Sequence, residues 1–359
     1  MTLQSLGWDD SFARHFDSHA SFGLEPARVA LEHKHGFELL TPYGVLRASC
    51  TGRLLHDAVA REELPAVGDW VAIRPRPGEP YADIHAVLPR KTKFSRRAVG
   101  GAGGEQIVAA NVDVVFLVTS LDHNYNLRRI ERYLAAAWDS GAQPLIVLNK
   151  ADLHDDPATA QAEVETVAMG APVVAVSALE ADGCLAPLSR WLIPGQTVAL
   201  LGSSGVGKST LINRIVDVER QATAAISDAV GKGRHTTTRR ELMVAPSGVL
   251  VIDTPGMREL QRWETKSTAL DNTFTDVTGL IARCRFSDCG HHGEPGCAIE
   301  AALADGSLAA DRWQSFQKLQ REQAYAARRA DSRLARETKT AWRKIHRAHR
   351  AQVRFENHE

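Results

Sequence analysis

The stretch that decides the fold is Val198-Ala-Leu-Leu-Gly-Ser-Ser-Gly-Val-Gly-Lys-Ser-Thr210, in which a short apolar run enters a glycine-rich loop. The loop fits the pattern G-x-x-x-x-G-K-[ST] from Gly202 to Ser209, and Leu211–Val216 then begins a helical pattern. Glycines let backbone N–H groups surround a phosphate, and the amino end of a helix adds partial positive charge. The stretch therefore predicts a phosphate-binding P-loop, with a chance glycine-rich turn as the weaker alternative.

The residues of this loop have distinct expected roles. Lys208 would reach the β- and γ-phosphates of a nucleotide, and the Ser209 hydroxyl would bind Mg²⁺. We predict nucleotide contacts along the whole loop, at Gly202, Ser203, Ser204, Gly205, Val206, Gly207, Lys208, Ser209 and Thr210.

A second motif, Asn149-Lys-Ala-Asp152, follows the apolar run Pro144–Leu148 and indicates which base is bound. A carboxylate accepts hydrogen bonds from guanine N1–H and N2–H₂, whereas adenine offers no such pair of donors. Asp152 would therefore select guanine, Asn149 would brace the loop and contact the base edge, and the stem of Lys150 would cover the ring. This choice of base argues against the alternative of a P-loop ATPase or kinase.

Three further segments complete the nucleotide site. Ser177-Ala178 ends an apolar run and would place a backbone N–H on guanine O6, and the polar segment Gly231–Thr238 suits a loop that closes on Mg²⁺ and the γ-phosphate. Asp253-Thr-Pro-Gly256 fits the pattern D-x-x-G. Asp253 would hold Mg²⁺ through water, and the N–H of Gly256 would sense the γ-phosphate. One of the loop threonines, for which we choose Thr237, would complete the Mg²⁺ shell.

The residue that directly follows D-x-x-G is Met257, whereas Ras-like enzymes place a glutamine there to orient the attacking water. A thioether cannot do this. His235 in the polar segment is the nearest polar candidate for the role. The alternative is that His235 is an ordinary loop residue or binds a partner.

The order of the motifs differs from the Ras-like order, in which the P-loop comes first. Here the order is N-K-x-D, Ser-Ala, P-loop, polar loop, D-x-x-G, so the domain is circularly permuted. Compact domains tolerate permutation because their termini lie close together. D-x-x-G now leads directly into the C-terminal part, and we expect the nucleotide state to be passed to that part over a short distance.

The segment Cys284-Arg-Phe-Ser-Asp-Cys-Gly-His-His-Gly-Glu-Pro-Gly-Cys297 concentrates thiol and imidazole groups. At this density in a reduced protein they indicate tetrahedral zinc. We predict Cys284, Cys289, His291 and Cys297 as ligands, with His291 preferred to His292. Four protein ligands leave no open position, so the site would be structural rather than catalytic. Free thiols are the alternative.

The N-terminal third has a residue pattern typical of β structure. Five short runs are separated by turn residues: Arg28–Glu32, Phe37–Leu40, Val45–Ser49, Asp69–Arg74 and Ala82–Leu88. Such a series suggests a small Greek-key barrel of the OB type, a fold that commonly binds single-stranded nucleic acid. The residues before Arg28 carry aromatic side chains with little periodicity, and we expect a partly ordered arm there.

A basic run, Arg90-Lys-Thr-Lys-Phe-Ser-Arg-Arg97, follows the barrel. Such a run can neutralise phosphates, and its aromatic ring can stack on a base. We predict RNA contacts at Arg90, Lys91, Lys93, Arg96 and Arg97, with a solvated linker as the alternative. A basic helical pattern continues from Leu308 to the last residue, where an RNA-binding helix and a solvated tail are both compatible with the composition.

Length and composition limit the remaining possibilities. A chain of 359 residues is too long for one core of usual size, and with a net charge of +0 any nucleic-acid surface must come from local patches. We find neither a secretory signal nor a run approaching the roughly 18 apolar residues of a membrane span. Five cysteines, three of them near His291, fit a reducing cytosol better than a disulfide framework.

The predicted architecture is therefore a cytoplasmic multidomain α/β protein. It combines an N-terminal OB-type β-barrel, a central circularly permuted P-loop GTPase domain and a C-terminal helical zinc-binding domain. The expected boundaries are an arm over 1–27, the RNA-binding barrel over 28–108, the GTPase domain over 109–268, and the zinc-binding domain with its basic tail over 269–359.

The sequence resembles the RsgA family, also called YjeQ or EngC, of circularly permuted bacterial GTPases. The resemblance covers nearly the whole chain and rests on the barrel-like N-terminal part and on Asn149–Asp152, Gly202–Thr210, Gly231–Thr238, Asp253–Gly256 and Cys284–Cys297. The permuted order combined with the spacing C-x₄-C-x-H-x₅-C is highly specific. The resemblance implies that His291 is the fourth zinc ligand and that His235 is catalytic.

The resemblance also implies a function. Members of the family bind the 30S ribosomal subunit late in its assembly, the subunit stimulates their GTPase activity, and hydrolysis favours release. We therefore expect a monomeric GTPase without membrane contact. Its partners would be GTP, GDP, the 30S subunit and its 16S rRNA, and its cofactors Mg²⁺ with the nucleotide and one structural Zn²⁺. The alternative is a GTP-dependent RNA-binding switch with negligible turnover and a non-ribosomal partner.

Overall fold

The computed structural model describes residues 1–97, 105–180, 184–216, 240–253 and 267–324. The chain divides into two compact units. The first unit contains the described residues up to 253 and Asp271–Thr275. The second unit contains the described residues 267–270 and 276–324. Within the described part of the chain, no helix combines the length and the apolar character needed to cross a membrane.

The N-terminal strands form a closed five-stranded barrel. The strands are β1 (Glu25–His33), β2 (Gly36–Thr41), β3 (Gly44–Cys50), β4 (Trp70–Pro75) and β5 (Tyr81–Val87). They are ordered β1-β2-β3-β5-β4, and β4 pairs back with β1 to close the barrel. Alternating apolar side chains such as Val29, Leu39, Val71 and Ile84 fill the interior. The OB-type barrel predicted from five short runs is confirmed, with a short helix α2 (Gly52–Asp57) after β3.

The residues before β1 are more firmly packed than a partly ordered arm. A 3₁₀ turn (Gln4–Leu6) precedes helix α1 (Asp10–Ala20), whose amino end is capped by the carboxylate of Asp9. The helix buries Phe12 and Phe16, and the ring of Trp8 meets the ring of Trp70 edge-on at 4.7 Å between centroids. Burial of these aromatic rings explains why the segment folds although its sequence shows little periodicity.

A β-hairpin connects the barrel to the nucleotide-binding part. Strand β6 (Lys93–Arg97) pairs antiparallel with β7 (Glu105–Ala110). The predicted basic run thus belongs largely to a strand and not to a solvated linker.

The nucleotide-binding part is built on a six-stranded sheet. Its strands are β8 (Val114–Ser120), β9 (Gln143–Asn149), β10 (Val173–Ala175), β11 (Thr197–Leu201), β12 (Glu241–Val244) and β13 (Leu250–Asp253). Their order is β10-β9-β8-β11-β13-β12, and every neighbouring pair is parallel except β12 with β13. The helices are α3 (Leu127–Ser140), α4 (Pro157–Val167) and α5 (Lys208–Val216). The parallel strands are almost wholly apolar because both faces are covered.

Strand β11 lies in the middle of this sheet, between β8 and β13. It is nevertheless the fourth strand of the sheet in chain order, as the permuted motif order requires. In open parallel sheets, ligands bind outside the carboxyl ends of the strands where the strand order reverses. The carboxyl ends of β8, β9, β11 and β13 therefore define the edge at which the predicted nucleotide site is expected.

The barrel and the nucleotide-binding sheet are joined by a buried arginine and by one strand pairing. Leu31 of β1 pairs with Glu241 of β12, so hydrogen bonding continues from the barrel into the sheet. Arg28 is 1% exposed, and its guanidinium donates to the carbonyl oxygens of Leu6, Gly68 and Asn111 and to Thr197 Oγ1, the last at 2.7 Å. Burial lowers the pKa of Arg28 to about 10, and the nearby carboxylates of Asp113 and Asp69 counteract this.

The C-terminal part is helical. Helix α6 (Ser267–Thr273) crosses the boundary between the two units and is followed by α7 (Thr275–Ile281), α8 (Ala298–Ala304) and α9 over 310–324. In the second unit, the Arg312 guanidinium makes two hydrogen bonds to the Asp276 carboxylate, at 2.6 and 2.7 Å. Ile299, Trp313 and Phe316 are buried. Among the described residues of this unit, the buried apolar core is small.

Candidate functional site

The P-loop joins the end of β11 to the start of α5, as the sequence predicts. A Cβ at Gly202 would overlap the carbonyl oxygen of Val118, and a Cβ at Gly207, where φ is +93°, would overlap the side-chain amide of Asn149. Only glycine fits at these two close approaches. Lys208 Nζ donates to the carbonyl oxygens of Gly202 and Ser203, so the ammonium lies within the loop. The amino end of α5 and this ammonium place positive charge at the carboxyl edge of the sheet.

Asn149 joins three segments of the site. It ends β9 and is buried. Its Nδ2 donates to the carbonyl oxygen of Val206 at 2.8 Å, and its Oδ1 accepts the N–H of Ala178 at 3.1 Å. One side-chain amide thus holds the end of β9, the P-loop and the Ser-Ala segment together, and both of its polar ends are satisfied.

Asp152 lies in a 3₁₀ turn, Ala151–Leu153, directly after Lys150, whose φ is +61°. The Asp152 Oδ1 accepts a hydrogen bond from the Ser177 hydroxyl, which orients the carboxylate. Asp152 is exposed, so its other oxygen is accessible to a ligand. The structure therefore brings together the predicted residues of the N-K-x-D motif, the Ser-Ala pair and the P-loop.

Asp253 is the last residue of β13, the strand that pairs with β11 through Ala199 and Ile252. Asp253 is half-buried and lies at the same edge of the sheet as the P-loop. His235, Thr237 and Gly256 lie outside the described residues, so their predicted roles stay predictions.

A second site lies in the loop between α7 and α8. Cys284, Cys289, His291 and Cys297 offer ligand atoms that all lie within 4.8 Å of one another. His291 Nδ1 is 3.6 Å from Cys284 Sγ and 3.5 Å from Cys297 Sγ, and the edge of its ring contacts Trp313. The adjacent His292 instead donates its backbone N–H to Glu294. Three thiols and one imidazole at this spacing can hold a metal ion, and the donor set fits zinc.

The basic run near the hairpin is partly used inside the protein. The Arg90 guanidinium donates to both carboxylate oxygens of Asp69, each at 2.7 Å, and to the carbonyl oxygens of Glu62 and Leu64. Lys91 pairs with Asp9. These contacts give Arg90 a structural role in the barrel.

Lys93, on β6, has a partly exposed side chain whose Nζ lies 4.0 Å from a carboxylate oxygen of Glu62. The side chains of Arg96 and Arg97 are not among those described. RNA contacts along the run stay a prediction.

Two polar residues that belong to none of the sequence motifs contact the nucleotide site. Asp122 accepts a hydrogen bond from Lys150 Nζ at 2.9 Å, and Arg129 Nη1 donates to Ser203 Oγ at 3.1 Å. Both follow strand β8, whose carboxyl end lies beside those of β9 and β11. The position of Asp122 shortly after a buried parallel strand is the one sequence signal for this edge of the sheet, whereas nothing in the sequence pairs Asp122 with Lys150 or Arg129 with Ser203.

Comparisons with known proteins agree with this fold. A family model described as RsgA GTPase matches residues 87–263. A curated protein named "Small ribosomal subunit biogenesis GTPase RsgA" from Opitutus terrae is 59% identical over 364 residues and the alignment covers 99% of each chain. A protein of the same name from Syntrophotalea carbinolica is 46% identical, with 91% of each chain covered.

Solved structures give the same result. The crystal structure of YjeQ from Thermotoga maritima aligns with a TM-score of 0.61 and 26% identity over 84% of this chain and 99% of that one. The structure of YloQ, described as a circularly permuted GTPase, aligns with a TM-score of 0.60 and 25% identity over 84% of this chain and 96% of that one. The predicted permuted GTPase fold is confirmed, and the chain belongs to the RsgA GTPase family.

Proposed function

We propose that this GTPase binds the small (30S) ribosomal subunit and acts late in its assembly, and that the subunit stimulates its hydrolysis of GTP to GDP and phosphate. The observation that carries the proposal is the match over 99% of the chain to a relative named for small ribosomal subunit biogenesis. The assembled P-loop and N-K-x-D loop supply the nucleotide chemistry that such a role requires.

In this proposal, guanine is selected by Asp152. Its carboxylate, oriented by Ser177, accepts from N1–H and N2–H₂ of the base, and the backbone N–H of Ala178 lies on O6. Because that N–H already donates to Asn149 Oδ1, the base would share this donor with Asn149. The stem of Lys150 covers the ring.

The phosphates bind to the P-loop. Backbone N–H groups from Gly202 to Thr210 surround them, and Lys208 turns from the carbonyl oxygens of its own loop toward the β- and γ-phosphates. The N–H of Gly256 senses the γ-phosphate. Ser209 and Thr237 supply hydroxyl ligands for Mg²⁺, with Asp253 acting through water, and these hard oxygen donors suit that ion. When bound, Mg²⁺ neutralises charge on the β- and γ-phosphate oxygens.

Hydrolysis requires that a water molecule be oriented toward the γ-phosphate. We assign this to His235, because the position after D-x-x-G holds Met257, whose thioether cannot donate a hydrogen bond and accepts one only weakly. A His235→Ala variant that binds GTP normally and hydrolyses it at the full rate would contradict the assignment.

The zinc-binding loop stabilises the fold, and the barrel and basic run bind the partner. One structural Zn²⁺ bound by Cys284, Cys289, His291 and Cys297 fixes the loop between α7 and α8. The basic run over 90–97 contacts 16S rRNA together with the barrel. The protein acts as a monomer in the cytoplasm, where ribosomal subunits are assembled.

The test is GTP hydrolysis measured with purified 30S subunits, with 50S subunits and without either. We expect strong stimulation by 30S subunits alone. Equal turnover in all three reactions would leave the GTPase assignment standing and overturn the ribosomal role. Asp152→Asn in the same assay reports whether the stimulated activity depends on the proposed guanine site.

A further inference from the structure

The segment Asp122–Arg129, which we call the bridging segment, follows β8 and carries none of the GTPase motifs. It consists of the loop after β8 and the first residues of α3, and Asn126 caps this helix by accepting the N–H of Arg129. In the described part of the site, it contacts both the base-binding side and the phosphate-binding side.

On the base-binding side, the Asp122 carboxylate is fixed by three hydrogen bonds. Its Oδ1 accepts from Ser120 Oγ at 2.7 Å and from the N–H of Asn124 at 2.8 Å, and its Oδ2 accepts from Lys150 Nζ at 2.9 Å. Burial opposes ionisation of the carboxyl group, but these three donors outweigh it and hold the pKa of Asp122 far below its usual range. The carboxylate is therefore charged at any physiological pH.

On the phosphate-binding side, the Arg129 guanidinium connects α3 to the P-loop. Its Nη1 donates to Ser203 Oγ at 3.1 Å and lies 3.5 Å from the carbonyl oxygen of Asn124. Since the N–H of Asn124 donates to Asp122, a continuous series of polar contacts runs from Lys150 through the bridging segment to Ser203.

These contacts matter because lysine and arginine are long, flexible side chains. An unanchored lysine stem loses rotamer freedom when it settles over a base, and this loss opposes binding. With its ammonium held by Asp122, the Lys150 stem is already fixed along one direction. In the same way, Arg129 fixes Ser203, the residue after the first glycine of the P-loop, before a phosphate binds.

We propose that the bridging segment is a positioning element of the guanine-nucleotide site, in which Asp122 acts through Lys150 on the base and Arg129 acts through Ser203 on the phosphates. The inference rests on the proposed GTP site. It assigns the two residues separable effects on ligand binding, which the following variants measure.

Asp122→Asn isolates the base-side contact. The amide retains an oxygen that can accept from Ser120 and Asn124 and loses only the ion pair with Lys150. We expect about fivefold weaker binding of GDP, GMP and inosine diphosphate alike, because the Lys150 stem covers any purine ring without reading its edge. The GDP-to-inosine-diphosphate affinity ratio should stay at the wild-type value. Asp155→Asn, which changes an exposed carboxylate nearby in the chain, is the matched control.

Arg129→Met isolates the phosphate-side contact while keeping much of the stem. We expect GDP binding to weaken about fivefold and GMP binding to stay close to the wild-type value, because the P-loop mainly holds the β-phosphate. Arg190→Met, at an exposed position, is the matched control. Affinities are measured by competition with a fluorescent GDP analogue, and thermal melting of each variant is recorded in parallel.

The outcomes are distinct. Wild-type affinities in both variants, or equal losses for every ligand in both variants together with a lowered melting temperature, would overturn the proposal. A changed GDP-to-inosine-diphosphate ratio in Asp122→Asn would also overturn it, because the residue would then read the base edge. If the wild-type protein failed to bind GDP at all, the proposed function would fail instead.

Discussion

Asn149 and Gly207 show how closely the residues of the nucleotide site constrain one another. The Asn149 amide lies against the backbone of Gly207 and reaches Val206 on one side and Ala178 on the other. Both residues belong to short sequence motifs, so the sequence predicts their types. The contact between them comes only from the parallel arrangement of β9 and β11 on either side of β8.

This contact predicts a cost for any side chain at position 207. Gly207→Ala should lower the free energy of unfolding by about 1–3 kcal/mol, because the new methyl group overlaps the Asn149 amide. Gly205→Ala is the control, since Gly205 also has positive φ (+83°) but open space around it. Chemical denaturation of the two variants checks the difference, and equal destabilisation would mean that backbone strain alone matters.

The orientation of Asp152 predicts a change of base preference. Asp152→Asn replaces a carboxylate, which accepts two hydrogen bonds, with an amide that can donate to the extra carbonyl group of xanthine. We expect the variant to bind xanthosine diphosphate in preference to GDP, measured by competition for the same site. Ser177→Ala should weaken GDP binding and keep the guanine preference, because it only releases the carboxylate. Unchanged selectivity in Asp152→Asn would refute the base assignment.

Some residues of the site could not be predicted from the sequence. Asp122 lies 28 positions from Lys150, and Arg129 lies 74 positions from Ser203. No local pattern connects such pairs, because their contacts depend on which strands become neighbours. Arg90 is a second example of a contact that the sequence does not predict. In the sequence it belongs to a basic run, whereas in the structure its guanidinium pairs with Asp69 on the barrel.

At the scale of elements, alternation and turn residues predicted the five barrel strands to within a few positions. The sequence pattern does not predict strand β7, and it does not show that the basic run forms strand β6. Pairing between β6 and β7 is what makes each of them a strand. Helix α1 was missed for a related reason, because its burial of Phe12 and Phe16 against the barrel is a tertiary effect.

The loop between α7 and α8 gives a prediction about metal removal. Helices α7 to α9 bury few apolar side chains, so we expect the bound metal to supply much of the stability of the second unit. Chelation of zinc should lower the melting temperature of this unit and change the fluorescence of Trp313, whose ring contacts His291 at 5.4 Å between centroids.

Metal analysis of purified protein supplies the control. Cys284→Ser should lose the zinc, whereas Cys50→Ser, which changes an isolated thiol on the barrel, should retain it. Purified wild-type protein without zinc, or full zinc content in Cys284→Ser, would contradict the assignment of this loop as a metal site.

At the scale of the molecule, the order of motifs in the sequence already predicted the permuted GTPase domain. The sequence did not indicate that the barrel and the nucleotide-binding sheet would share hydrogen bonds and one buried cation. The pairing of Leu31 with Glu241 joins positions far apart in the chain. The Arg28 guanidinium likewise binds acceptors from the arm, the barrel, the connection to β8 and strand β11.

We expect Arg28→Met to destabilise the whole first unit. Removing the guanidinium leaves buried carbonyl oxygens without a donor. We therefore expect the free energy of unfolding to fall by about 3–5 kcal/mol. In calorimetry, the unfolding transitions of the barrel and of the nucleotide-binding part should shift together to a lower temperature. Arg53→Met, at a side chain that is 90% exposed, should change little. Separate transitions for the two parts in the wild-type protein, where Arg28 is present, would show that Arg28 does not couple them.

The position of Arg28 also has a consequence for synthesis of the protein. Two of its acceptors, on Leu6 and Gly68, are available early in translation, but Thr197 follows Arg28 by 169 residues. At elongation rates of about 5–20 residues per second this delay is roughly 10–30 s. During that time the nascent barrel carries a cation whose last partners do not yet exist. The barrel therefore reaches its final stability only after β11, and with it the start of the P-loop, has been translated.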